Sequence, residues 1–202
     1  RNHIPNSSLK GTAHNVSGNL TRVNDPGGIM LTRSNTTTSS RYFCSTHFAS
    51  NFALGDQITL SAWIRLESGI IPPNTSMFVR FFNSSGANVQ DVVTLNLSNI
   101  SGDWVRITGT GTITNSTIDF SRNIQVAIGV GTPTAPVTIQ TKEWKLELGN
   151  KATDWTPAPE DVQAEIDSAK QEALDAASNA QTSADTANTA VGNLNTYVEG
   201  SF

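Results

Sequence analysis

Cysteine is nearly absent from this chain: Cys44 stands alone, which excludes an intramolecular disulfide framework and any multi-cysteine zinc site. It lies in an aromatic run with Tyr42, Phe43 and Phe48, the setting of a buried, inert thiol. Charge is sparse too, at 15% of 202 residues, and sums to −4. Nucleic-acid binding needs a clustered basic face; none is visible, so no nucleic acid is expected as a partner. No stretch approaches the roughly 18 consecutive apolar residues of a membrane span, so membrane insertion is not expected. No charged-then-apolar leader opens the chain, and a first residue of Arg1 reads as a fragment. His3, His14 and His47 are isolated, which favours surface positions over metal ligation.

Catalytic motifs are missing as well. There is no Gly-X-Ser-X-Gly elbow, no phosphate loop, no His-Glu-X-X-His and no EF-hand loop. Gly109 and Gly111, like Gly129 and Gly131, end strand-like runs and read as turn or bulge glycines rather than phosphate cradles. A pair of glycosidase carboxylates would not show as a local motif, because the two meet only in the fold. Asp56, Asp91, Asp103 and Asp119 fall mostly at strand edges or turns, where structural or solvated roles are the better reading.

What the chain has in abundance is Ser, Thr, Asn and Gly, so uncharged polar groups cover most of its surface. The Asn-X-Ser/Thr sequons, from Asn6 to Asn115, follow from that composition. Alternating segments recur up to about residue 155. In residues 57–67, Ile58, Leu60, Ala62, Ile64 and Leu66 share one face while Thr59, Ser61, Trp63, Arg65 and Glu67 share the other. Similar runs are 41–48, 76–82, 91–97, 104–113, 124–130 and 137–148, punctuated by clusters such as residues 24–28, 72–74, 83–86 and 101–103. Many short strands without interleaved helices predict a mainly β fold, a β-sandwich or jelly roll, over residues 1–156.

Composition then breaks sharply. All four tryptophans lie at or before Trp155, and no glycine occurs between Gly149 and Gly192. Pro157 and Pro159 followed by Glu160 and Asp161 make a helix start, with acids facing the positive end of the dipole. Residues 157–202 therefore read as an alanine-rich C-terminal α-helix serving as stalk or linker. It carries coiled-coil spacing: Val162, Ala169, Ala176, Ser183, Ala190 and Tyr197 form one seam, and Ile166, Ala173, Ala180, Ala187 and Leu194 the other. Homotrimerisation through this helix is one expectation. A solvated single helix is the competing one, since alanine buries little surface.

Two strands carry candidate binding residues. With the apolar phase turned inward, Trp63 and Arg65 occupy the outer face of one strand, and Phe78, Arg80 and Phe82 that of another. Outward rings stack on the apolar faces of sugars while Arg, Asn and Gln bond the hydroxyls. The competing reading is that either set covers the second face of the sandwich or packs under a loop, with residues near 72–74 or 83–86 as the alternative site.

Residues 144–161, WKLELGNKATDWTPAPED, resemble the closing motif of carbohydrate-binding-module-like jelly rolls in tail and baseplate proteins of phages that infect Gram-positive bacteria. Asn6-Ser7-Ser8-Leu9 is similar to the opening of those modules, and residues 59–64 and 102–106 to their central strands. The resemblance implies a galactose-binding-like jelly roll that acts extracellularly in the virion. Its expected partners are a bacterial cell-surface polysaccharide and other tail or baseplate subunits. It also implies a structural calcium, for which Asn6 and Glu147 are the residues that could supply oxygen. Function is then expected to be non-catalytic adhesion. A structural spacer without sugar affinity is the second expectation, and a glycan-cleaving enzyme a distant third.

Overall fold

A computed structural model describes residues 1–4, 15–18, 20–25, 27–34 and 40–201, with Asn15 and residues 43–48 described by backbone alone. Asn6, the 6–9 opening and His14 lie outside the described residues, as do the side chains of Phe43, Cys44, His47 and Phe48. By compactness the chain divides into two units, Arg1–Asp161 and Val162–Phe202.

The first unit is a sandwich of two five-stranded antiparallel sheets. One has the order β1 (Asn15–Ser17), β4 (Ser40–Phe48), β9 (Asn123–Val130), β6 (Ser76–Phe82), β7 (Asn88–Asn96). The other has the order β2 (Leu20–Asp25), β3 (Gly28–Arg33), β10 (Val137–Leu148), β5 (Gln57–Ser68), β8 (Val105–Thr112). Period-2 alternation decides what each sheet buries. Ile58, Leu60, Ala62 and Ile64 of β5 are at most 1% exposed, and Met77, Val79 and Phe81 of β6 are fully buried against them in one core. Tyr42 of β4 meets Trp144 of β10 edge-on across that core, at 5.6 Å between ring centroids.

Strand β10 changes phase partway along. Val137, Ile139 and Thr141 point inward at odd positions, but Trp144 and Leu146 do so at even ones. The switch is a bulge between Lys142 and Lys145, where pairing to β5 shifts register and Glu143 takes a left-handed φ of 54°. Beyond the bulge, Lys145 and Glu147 face outward, yet they are 2% and 4% exposed, because residues 149–156 double back over this sheet.

Gly109 and Gly111 are neither turn nor bulge residues. Both lie inside β8, and a Cβ on Gly111 would sit 1.8 Å from the Val92 carbonyl oxygen of β7, so they let the edge strands of opposite sheets close together.

The second unit belongs to helix α1 (Pro159–Glu199), which has Glu160 and Asp161 in its first turn and no buried residue. Gln163, Gln171 and Gln181 each donate to the aspartate four residues on, at 2.8–2.9 Å, supporting the helix along its polar face.

Candidate functional site

The outer face of the first sheet holds a set of polar groups that converge on a hollow. Because Met77, Val79 and Phe81 turn inward, β6 projects Ser76, Phe78, Arg80 and Phe82 from its other side, as the alternation required. Pairing sets Ser76 beside Gly129 of β9, Phe78 between Ala127 and Thr94, and Arg80 between Gln125 and Asp91. Arg41 of β4 lies across Gly129 from the other side. A hollow of about 520 Å³ opens among these strands, lined by Arg41, Ser76, Phe78, Arg80, Asp91, Thr94 and Gly129 together with Pro73, Asn74, Arg33 and Thr132. Gly129 keeps the floor low: a Cβ there would come 3.3 Å from the Phe78 ring.

Phe78 faces outward but is not open for stacking. The Arg80 guanidinium lies 4.6 Å from its ring centroid and that of Arg41 5.9 Å, and the residue is 5% exposed. The ring's negative face attracts these cations, which cap it. Arg80 is itself fixed by a two-pronged pair with Asp91, Nε to Oδ1 at 2.7 Å and Nη2 to Oδ2 at 2.8 Å. That hydrogen bonding raises the Arg80 pKa above the ordinary arginine value, so it stays cationic. Phe82 is half-buried and lines a second hollow of about 400 Å³ on the same face, with Gly86, Arg122 and Gln125. Both alternative contact loops thus meet this face, one at each hollow.

Trp63 and Arg65 lie on the other sheet, with the whole core between them and the Phe78 set, so the five candidate residues form two separate places rather than one. Trp63 is half-buried, paired between Lys142 and Arg106. Arg65 donates from Nε to Gln140 Oε1 at 2.8 Å, pairs with Glu67 at 2.7 Å and covers the Trp104 ring at 5.2 Å. Lys142 covers the same ring at 4.6 Å.

Glu147 is engaged by the returning segment. Its Oε1 accepts from the Thr153 amide at 2.9 Å and its Oε2 from the Thr153 hydroxyl at 2.7 Å, with the Lys145 ammonium 3.4 Å away. Burial pushes the carboxyl pKa up, but the Thr153 donors and the ammonium outweigh it and hold it below the ordinary value. Lys145 also donates to the Thr153 hydroxyl and the Asp154 carbonyl, at 2.5 and 2.6 Å, and Arg106 bonds the Thr153 carbonyl. The alternating Lys-X-Glu and the following Ala-Thr-Asp are therefore two halves of one latch. A calcium ion would have to displace an ammonium and two donors, so Glu147 as placed does not fit the expected ligand role.

Fully buried Asn2 completes the latch. It donates from Nδ2 to the Trp144 and Thr156 carbonyls, at 2.9 and 3.2 Å, and accepts at Oδ1 from the Ile4 and Leu146 amides, at 3.1 and 3.2 Å.

No family model and no curated protein matches the chain. Solved structures do. The C-terminal family 22 carbohydrate-binding module of Clostridium thermocellum Xyn10B superposes over 73% of this chain and 94% of its own, at TM-score 0.51 and 12% identity. The sandwich shares the fold of carbohydrate-binding modules. The baseplate tripod of bacteriophage Tuc2009 is similar over 78% of this chain and 58% of its own, at TM-score 0.50 and 20% identity. The enzymatically active domain of tailspike protein 4 from bacteriophage CBA120 is similar over 73%, at TM-score 0.52 and 12% identity. This chain spans only 21% of that tailspike chain.

Sequence reasoning passed over Arg41, Ser76 and Thr94. The signal for Ser76 and Thr94 is present, since both keep the outward phase of the alternating runs 76–82 and 91–97, but neither is aromatic. Arg41 opens another such run, and only strand order brings it beside Phe78.

Proposed function

We propose that this chain is a non-catalytic saccharide-binding module of a phage tail or baseplate, acting at the host cell surface. The observation that carries this reading is the hollow over Gly129, where the side chains of Ser76, Thr94, Asn74, Arg41 and Arg80 converge from neighbouring strands and a loop. Such groups bond the hydroxyls of a sugar in its plane. With Phe78 already capped, recognition here is by hydrogen bonds more than by ring stacking. The fold shared with carbohydrate-binding modules and the resemblance of residues 144–161 to phage tail modules support the assignment. Asp91 is the single carboxylate lining the hollow and is held by Arg80, whereas glycoside hydrolysis generally employs two carboxyl groups roughly 5–9.5 Å apart.

Calorimetric titration of the full chain with purified host cell-wall polysaccharide tests this. Thr94→Trp, at an exposed position of the lining, abolishes binding by filling the hollow, while Trp63→Ala on the opposite sheet leaves it within about twofold. Absence of any saccharide binding by the wild type would refute the reading.

Helix α1 supports a second role, attachment. Its seam residues Val162, Ile166, Leu194 and Tyr197 are 42–75% exposed, and the helix buries none of its own residues. Joining three copies, or one copy to other tail subunits, would cover that seam. Light scattering of the full chain against a chain ending at Asp161 distinguishes the roles: a trimeric mass lost with the helix supports attachment through copies of itself, and a monomer in both removes it.

A further inference from the structure

The charges of the hollow point to a narrower ligand class. Three guanidiniums, those of Arg33, Arg41 and Arg80, line it against one carboxylate, in a chain whose net charge is −4. The carboxylate of Asp91 is spent on Arg80 through both oxygens, at 2.7 and 2.8 Å. Arg33 is turned into the wall, where it bonds the Val130 and Gly131 carbonyls. Arg41 differs. It is half-buried, rests at 5.9 Å on the Phe78 ring, and has no carboxylate within 4.0 Å among the described residues, which include every Asp and Glu of the sequence. A guanidinium that lines a polar hollow beside a ring and has no carboxylate partner suits an anionic oxygen pair far better than a neutral hydroxyl.

Resting on the saccharide reading of this hollow, we infer that it takes an acidic glycan, with Arg41 receiving a carboxylate or phosphodiester group of the chain while Arg80, neutralised by Asp91, bonds neighbouring hydroxyls. Ser76 and Thr94 then serve the same sugar residue from the next two strands.

The test is affinity electrophoresis of the full chain through gels holding a uronic-acid polymer, a polyglycerol-phosphate polymer or neutral dextran, at low and high salt. One acidic polymer is expected to retard the wild type about tenfold more strongly than dextran, with the margin shrinking at high salt. Which acidic polymer does so tells carboxylate from phosphodiester. Arg41→Ala loses the margin, Arg41→Lys keeps part of it because the charge remains without the fork, and Lys170→Ala, an equal charge change on the helix, keeps it whole. Tryptophan fluorescence confirms that each variant is folded. Dextran binding equal to the acidic polymers and unaffected by Arg41→Ala would overturn the acidic class while leaving a saccharide site standing. Failure of all three polymers and of host polysaccharide would overturn both.

Discussion

Replacing Asn2 by alanine should cost the sandwich about 3 kcal/mol. An asparagine side chain has two donors and two acceptor sites, and all four are used here, each on a backbone group of residues 4, 144, 146 or 156. Leaving four such groups without their partner costs about 1 kcal/mol apiece. The total is capped by the energy that docks residues 1–4, chiefly burial of the Ile4 side chain, worth about 2–3 kcal/mol, since beyond that the segment lifts off instead. Urea unfolding followed by tryptophan fluorescence reports the sandwich alone, because all four tryptophans lie at or before residue 155. With a slope near 2 kcal/mol per molar, the midpoint should fall by about 1.5 M. Asn2→Asp sharpens the test. It keeps the Oδ1 acceptor but turns a second oxygen on the Trp144 and Thr156 carbonyls, so its folded pKa is raised. The variant is therefore least impaired below the unfolded value near 3.9 and loses stability as pH rises through the folded one. A midpoint within about 0.3 M of wild type for Asn2→Ala, or a flat pH response for Asn2→Asp, would refute the clamp.

Three further outcomes follow from the same geometry. Glu147, with a folded pKa below the ordinary carboxylate value, stabilises the fold above that ordinary value and loses its contribution as pH falls through the lower one; Glu147→Gln should lower stability at neutral pH and flatten the acid limb of a pH-dependent melting series. Thr153→Val keeps the shape but removes the hydroxyl shared by Lys145 and Glu147, and should cost about 2 kcal/mol in urea unfolding at neutral pH. Gly111→Ala forces β7 and β8 apart at Val92 and should cost about 1–3 kcal/mol, seen as a lowered thermal midpoint with unchanged far-ultraviolet dichroism.

Seven of the ten strands among the described residues are legible because their apolar residues alternate over long stretches. Strands β2 and β3 are not, since Thr21, Arg22 and Asn24 of β2 and the unbroken apolar run Ile29-Met30-Leu31 of β3 offer little alternation, although the turn between them is plain. The phase of β6 was legible, and with it the outward direction of Phe78 and Arg80. What covers Phe78 was not, because Arg41 reaches it from two strands away across β9. Trp63 and Phe78 were both placed outward, but alternation within a strand carries no information about which sheet that strand joins. The bulge in β10 was hidden for a related reason: a run of twelve residues looks continuous whether or not its parity changes midway. Glu147 read as a bare oxygen donor because its partners are supplied by a segment that doubles back, and nothing local announces that return.

The clamp at Asn2 also fixes where the sandwich is entered and left. One side chain bonds residues 4 and 156 at once, so these two positions near either end of the unit Arg1–Asp161 lie within a few ångströms of each other. A domain with neighbouring ends is portable: it can be spliced into a surface loop of another protein without stretching its host, and a new break can be opened at an exposed turn such as residues 83–86 once the old ends are joined by a short linker.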